Sequence, residues 1–194
     1  MNGQDRAEAM AARLRTTFLL AGLTEDDTTR IESAYRAAMA LRSGELPEAH
    51  PAYLHPARTA LILFHDAGVG TVALLSAGTL VDTKNSELAV PLAEIERLCG
   101  ARVAHLVAQV PSPDSAGDEL LERLLVAPHD VQLLALAERL DCARHVHLLP
   151  AEDWRAEHDR VRDIYLPVAE RTHPLLARRF AWWLGAFHDR FLKQ

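Results

Sequence analysis

Apolar residues recur at helical spacing along almost the whole chain, and glycine or proline marks most points where that spacing breaks. In residues 5–21 the apolar positions follow a period near 3.6, and Gly22 stands where the run ends. Thr24 then precedes three acids, the pattern of a helix N-cap with an acidic first turn. The strict apolar–polar alternation of a half-buried strand is not found. These features predict an all-α fold.

The same signals locate the individual helices and the breaks between them. A loop is expected over residues 43–54, which contain Gly44, Pro47 and Pro51, and Pro111–Ser115 forms the clearest break. Gly78 is expected to interrupt the helix that contains it. The predicted helices span residues 5–21, 24–41, 56–67, 69–80, 91–99, 101–110, 116–126, 128–146, 151–171 and 174–192. We therefore expect a single-domain bundle of about 8–10 helices.

Composition narrows the class of protein. The chain has 194 residues, of which 49% are hydrophobic, which suits one domain with a sizeable core. A net charge of −6 argues against general nucleic-acid or membrane-surface binding, although it allows a local basic pocket for a small anion. Cys99 and Cys142 are too few for a disulfide framework, so we expect reduced core thiols. The N-terminus is charged and no run of about 20 apolar residues occurs, so we expect a cytoplasmic protein without a membrane span.

The dipeptide His-Asp occurs four times, and such a pair is the metal-binding core of a large class of phosphohydrolases. The four are His65-Asp66, His129-Asp130, His158-Asp159 and His188-Asp189. The second follows a proline at a helix start, where its aspartate suits the helix dipole. The last two are expected on solvated helix faces with local ion pairs. Only the first, within Leu63–Gly68, is similar to the L-L-H-D-x-G motif of the wider HD superfamily.

Six short motifs follow one another in an order that a known family shares. They are Arg42-Ser43-Gly44-Glu45, Tyr53-Leu54-His55-Pro56 with the helix at 57–63, Asp82-Thr83, and residues 92–107, 134–144 and 163–171. Over residues 36–173 this order resembles the RelA/SpoT-type HD hydrolase domain, with a layout similar to the small, hydrolase-only alarmone proteins. The resemblance divides the chain into N-terminal helices (1–42), an HD-like domain (43–173) and an aromatic C-terminal helix (174–194) that packs on the same domain or on a second copy.

The resemblance also implies a chemistry. Family members remove the 3′-pyrophosphate from the guanosine alarmones ppGpp and pppGpp with a manganese ion, held by a histidine, a His-Asp pair and a later aspartate. His55 matches the first ligand and Glu138 stands at the later aspartate. Ala77-Gly78 stand where the pair belongs. Neither side chain can bind a metal, and two ligands are normally too few to hold manganese against water.

The remaining matched positions concern the substrate and the attacking water. The family's catalytic Glu-Asp matches Val81-Asp82, which keeps Asp82 as the candidate catalytic residue and loses its partner. The family's His-Asn matches Asp141-Cys142, so an asparagine that contacts the base is lost. Arg42 stands at a lysine of the family. By these matches, Arg42 and Asp141 are the candidate substrate-binding residues. A guanosine nucleotide is the implied partner.

His65-Asp66 is the alternative metal site. His55 and His65 lie at opposite ends of one predicted helix, and ten residues of helix rise about 15 Å. Two ligands of one ion lie only ~3–4 Å apart, so these histidines cannot share a metal unless the helix breaks.

Three functions remain open. The leading hypothesis is a pseudoenzyme that senses a nucleotide or binds a partner, with no metal cofactor. The second is an active manganese-dependent HD phosphohydrolase that acts on a nucleotide. Its site would use His65, Asp66, Asp82 and Glu138. The third is a helical interaction protein whose resemblance is only architectural.

Overall fold

The computed structural model describes residues 3–46, 50–82, 86–113 and 117–193. Thr83, from the Asp82-Thr83 motif, and Asp114-Ser115, from the predicted break, lie outside the described residues. Within them the α-helices are α1 (Gly3–Leu20), α2 (Glu25–Glu45), α3 (His55–His65), α4 (Val72–Leu80), α5 (Leu92–Cys99), α6 (Ala101–Gln109), α7 (Gly117–Val126), α8 (His129–Arg144), α9 (Trp154–Arg160), α10 (Leu166–Thr172) and α11 (Pro174–Phe187).

Short 3-10 and π-helical segments complete the secondary structure. The 3-10 helices are Pro51–Leu54, Ser86–Leu88, Val146–Leu148 and Ala151–Asp153, and the π-helical turns are Val161–Tyr165 and His188–Leu192. The first π-helical turn joins α9 to α10 without a break, so the described residues form ten helical rods. The all-α prediction is confirmed. None of the helices in the described part of the chain has the length and apolar character needed to cross a membrane.

The local signals act as predicted at several helix ends. The Thr24 hydroxyl accepts the backbone N–H of Asp27 at 3.1 Å and caps α2. Gly22 and Gly100 have φ values of +90° and +88°, a region that favours glycine because it lacks a β-carbon. These two glycines end α1 and α5 and turn the chain into the next helix.

Three local predictions are wrong. Helix α2 continues to Glu45, past its predicted end, and Pro51–Leu54 is a 3-10 helix inside the predicted loop. Helix α4 begins at Val72 and passes through Gly78 without interruption. His158 is buried rather than solvated: its Nε2 lies 3.2 Å from the Leu184 carbonyl oxygen, and its ring packs among the aromatic residues of α11.

Helix α8 runs through the middle of the bundle, in contact with α3, α4, α6, α10 and α11. Eleven of its sixteen residues are buried, on all sides of the helix. Three of the eleven are ionisable: Glu138, Arg139 and Asp141. Arg139 pairs with Glu157 at 3.3 Å and lies over the Tyr165 ring. Buried charges persist only with partners. The partners of Glu138 and Asp141 are therefore expected where α8 contacts α3.

Candidate functional site

His55 begins α3 and points at α8. Its side chain is buried, Nδ1 lies 2.7 Å from Oδ2 of Asp141, and Nε2 lies 3.4 Å from the Thr59 hydroxyl oxygen. Burial by itself would lower the pKa of His55, but the hydrogen bond to Asp141 and the neighbouring carboxylates of Asp82 and Glu138 raise it above its usual value. The ring therefore donates from Nδ1 to a carboxylate, with Nε2 on its other side.

Asp141 is held from two directions. Arg58, one turn after His55 on α3, donates from Nε to Oδ1 at 2.7 Å and from Nη2 to Oδ2 at 3.0 Å. This forked contact is the strongest arrangement open to an arginine and a carboxylate. Burial would raise the pKa of Asp141, but hydrogen bonds and charges from His55 and Arg58 lower it to about 2. Asp141 thus carries a fixed negative charge whose partners are the protein's own side chains.

Arg42 and Asp82 form a second buried pair beside this group. The Arg42 side chain, on α2, donates to the Asp82 carboxylate just after α4, and also to the Ala38 carbonyl oxygen at 3.1 Å. Both side chains are only 2% exposed. Burial lowers the pKa of Arg42 although Asp82 opposes the shift. The structure therefore brings together the candidate substrate-binding Arg42 and the candidate catalytic Asp82, and it pairs them with each other.

Glu138 and Cys142 lie one helical turn apart on α8 and face His55. One potential ligand atom from each of the three residues lies within 4.8 Å of the others. Glu138 is buried and Cys142 is half-buried. These are the side chains in the described ranges that are arranged to hold a metal ion.

Positive and negative groups are equal in number across this region. Three groups carry or readily accept positive charge and three are carboxylic acids, and five of the six are buried. They are Arg42, Arg58 and His55 on one side, and Asp82, Asp141 and Glu138 on the other. A cluster of buried carboxylates is costly without counter-charge, and here the counter-charge comes from side chains.

Gly78 lies where α4 packs against α3, and both Ala77 and Gly78 are buried. A β-carbon at Gly78 would lie 2.6 Å from Cδ1 of Leu63 and 3.4 Å from Cα of Ala60. The two helices therefore pack too closely at this point for a larger side chain, unless Leu63 moves.

His65 and Asp66 lie at the far end of α3, as the predicted helix required. His65 is exposed, whereas Asp66 is buried and accepts from Arg144 at 3.2 Å and from Arg179 at 3.1 Å. A cavity of about 340 Å³ separates this end from Asp141, and its lining includes Arg13, Arg58, Arg144, His65 and His145. The structure does not bring His65 and His55 together. His65 lines this cavity, the basic pocket, in which three arginines face two aspartates, Asp66 and Asp141; His55 does not line it.

No protein-family profile matches the sequence. The guanosine-3′,5′-bis(diphosphate) 3′-pyrophosphohydrolase MESH1 of Homo sapiens is 34% identical over 124 residues, covering 61% of this chain and 68% of the human protein. The chain belongs to the MESH1 family. MESH1 of Mus musculus is 32% identical over the same coverage. A solved structure described as a metazoan ortholog of SpoT that hydrolyzes ppGpp superposes with a TM-score of 0.70 at 18% identity, covering 84% of this chain and 96% of that one. Membership of the MESH1 family confirms the RelA/SpoT-type resemblance, and the superposition shows the fold.

One residue of the site, Arg58, and one contact, that of Asp141 with His55, were missed in the sequence. Arg58 lies three residues after His55, on the same face of α3, and helical spacing alone could have identified it. Asp141 was assigned only by its place in a motif, and its contact with His55 spans 86 residues of sequence. That pairing depends on how α3 crosses α8.

Proposed function

We propose that this chain is a pseudoenzyme of the MESH1 family, which binds a guanosine 3′,5′-bis(diphosphate) nucleotide without the 3′-pyrophosphohydrolase activity for which its relatives are named. The observation that carries the proposal is the pairing of site carboxylates with arginines. Asp82 is matched by Arg42, and Asp141 by Arg58 and His55. The counter-charge of these two buried carboxylates is supplied by side chains, so neither needs a bound cation.

The metal-binding side chains that the site presents, His55, Glu138 and Cys142, do not fit manganese. This ion favours carboxylate, carbonyl and water oxygens, with imidazole nitrogen as an accepted ligand. Asp141 is engaged by Arg58, and the α4 position nearest α3 is a glycine packed against Leu63 and Ala60. His55 and Glu138 remain as suitable donors, with a thiol as the third group. Two ligands of the preferred type are too few for tight manganese binding.

The basic pocket supports nucleotide binding. It shares Arg58 and Asp141 with the paired site and adds Arg13 and the pair Arg144–Asp66, while Leu61 and Ile62 contribute apolar wall. Guanidinium groups bind phosphate oxygens in a forked geometry and with favourable charge. The MESH1 relatives are named for a nucleotide that carries two diphosphates, which such a pocket suits.

The proposal is tested by measuring binding and hydrolysis of ppGpp on the same protein. Calorimetry should detect ppGpp binding, and Arg144→Gln should weaken it while the exposed Arg123→Gln, on α7, leaves it unchanged. With manganese present, the chain should release no pyrophosphate under conditions in which human MESH1 does. Manganese-dependent release by the purified chain would refute the pseudoenzyme. If it occurred, His65→Ala would show whether the exposed histidine takes part. Absence of ppGpp binding would refute the nucleotide role.

A further inference from the structure

His55, Glu138 and Cys142 have the geometry of a three-residue metal site. Their donor atoms lie within 4.8 Å of one another, whereas bond lengths of 2.0–2.3 Å in a tetrahedral zinc site place ligand atoms roughly 3.3–3.8 Å apart. The donors therefore need to move together by at most about 1.0–1.5 Å, which side-chain rotation on two packed helices can supply. Glu138 and Cys142 are four residues apart on α8, so one face of that helix presents both.

The surroundings of His55 supply the second observation. A histidine that binds a metal through one ring nitrogen almost always donates its other N–H to a carboxylate or carbonyl, which fixes the ring and its tautomer. His55 Nδ1 already makes this contact with Asp141 at 2.7 Å, and Arg58 holds Asp141 in place. Nε2 is therefore the nitrogen left to bind a metal. Thr59, 3.4 Å from Nε2, is a long contact that a metal bond would replace.

The donor types select the metal. A thiolate is a soft ligand that favours zinc and copper(I), and imidazole and carboxylate both suit zinc as well. One sulfur, one nitrogen and one oxygen leave the fourth tetrahedral position for water, a common coordination for zinc. Manganese prefers six ligands, mostly oxygens.

We propose that His55, Glu138 and Cys142 bind a thiophilic divalent cation, zinc, with Asp141 as the carboxylate that orients His55. This site keeps two positions of the family's manganese site, His55 and Glu138, but takes nothing from α4 and adds a cysteine at a position where the family has asparagine. The proposal goes beyond nucleotide binding and is tested without any nucleotide.

The test uses zinc and cobalt(II) with the full chain. Calorimetry should give one equivalent of zinc, with manganese binding much more weakly. Cobalt(II), which takes zinc sites, should produce a near-ultraviolet thiolate-to-cobalt absorption band. Cys142→Ser should abolish the band and weaken zinc binding by at least about 10–100-fold, the loss typical for groups that only support a ligand. Cys99→Ser is the matched control, because Cys99 lies at the end of α5, outside the cluster, and it should leave both readouts unchanged.

Further variants separate the proposal from its rivals. Glu138→Gln should weaken zinc binding while the cobalt–thiolate band remains, and circular dichroism should confirm that each variant is folded. No zinc binding by the native chain, equal effects of the two serine variants, or unchanged affinity in folded Cys142→Ser would each overturn the site. None of these outcomes bears on ppGpp binding, so the two proposals fail separately.

Discussion

Asp141→Asn tests the idea that side-chain charges hold the α3–α8 contact together. The native partners lower the pKa of Asp141 from 3.8 to about 2. One pKa unit corresponds to about 1.4 kcal/mol, so these partners favour the carboxylate by about 2.5 kcal/mol at neutral pH. Asparagine keeps the shape but removes the charge from His55, which is buried, and from Arg58, which is 27% exposed and can reach water.

The expected loss follows from those values. Breaking a buried ion pair from one side costs about 3–5 kcal/mol, and the exposure of Arg58 reduces that figure. We therefore expect Asp141→Asn to lower the free energy of unfolding by about 2–4 kcal/mol at pH 7. For a domain of this length the melting temperature should fall by about 5–15 °C.

The pH dependence has a defined sign for each partner. The pKa of Asp141 is lowered on folding, so its contribution is present above pH 3.8 and is lost as the pH falls towards 2. The pKa of His55 is raised on folding, so its contribution is complete below pH 6.5 and is lost as the pH rises through the raised value. Asp141 supports the raised pKa of His55. As the pH rises above 6.5, the free energy of unfolding should therefore fall less in Asp141→Asn than in the native chain.

Urea denaturation at several pH values measures both effects. Asp130→Asn is the matched control, because Asp130 lies on the same helix and pairs with Arg102 at 3.0 Å on the surface. It should cost less than about 1 kcal/mol. A loss below 1 kcal/mol for Asp141→Asn, or an unchanged slope above pH 6.5, would show that the charges do not hold this contact.

Three further variants probe the same region. Arg42→Met leaves Asp82 buried without its arginine and should cost about 3–5 kcal/mol, and urea titration should show the double variant Arg42→Met/Asp82→Leu to be more stable than the single one. Gly78→Ala pushes a β-carbon against Leu63, and this overpacking should lower the free energy of unfolding by about 1–3 kcal/mol. The higher helix propensity of alanine offsets part of that loss. A melting temperature equal to that of the native chain would mean that Leu63 or α3 can shift to accommodate the added methyl group. Ala77→His with Gly78→Asp should raise manganese affinity at a cost in stability, and unchanged metal binding in a folded double variant would show that these positions do not match the His-Asp pair.

The helices were predictable because their signals are local. Periodicity and a few glycines, prolines and caps gave every helical rod, and the predicted helix between His55 and His65 has those residues as its ends. Gly78 was misread because glycine breaks a helix in one context and admits a neighbouring helix in another, and only the α3–α4 packing distinguishes the two.

The polar contacts were less accessible to sequence reasoning because they join distant segments. Asp66 meets Arg179 across 113 residues, and Arg42 meets Asp82 across 40. The four His-Asp dipeptides indicated sites made of residues adjacent in sequence. In the structure, His55, which is in none of these dipeptides, pairs with Asp141, and Asp66 pairs with Arg144 and Arg179.

In the proposed pseudoenzyme, Arg42 and Arg58 account for how the bundle remains folded without the family's full set of metal ligands. Carboxylates gathered in a buried cleft repel one another and lose hydration, and a bound cation normally offsets both costs. In the proposed pseudoenzyme, Ala77-Gly78 stand in place of the family's His-Asp pair, so manganese is not held and the remaining acids need another source of positive charge. Arg42 and Arg58 supply it permanently, because an arginine remains protonated even when buried.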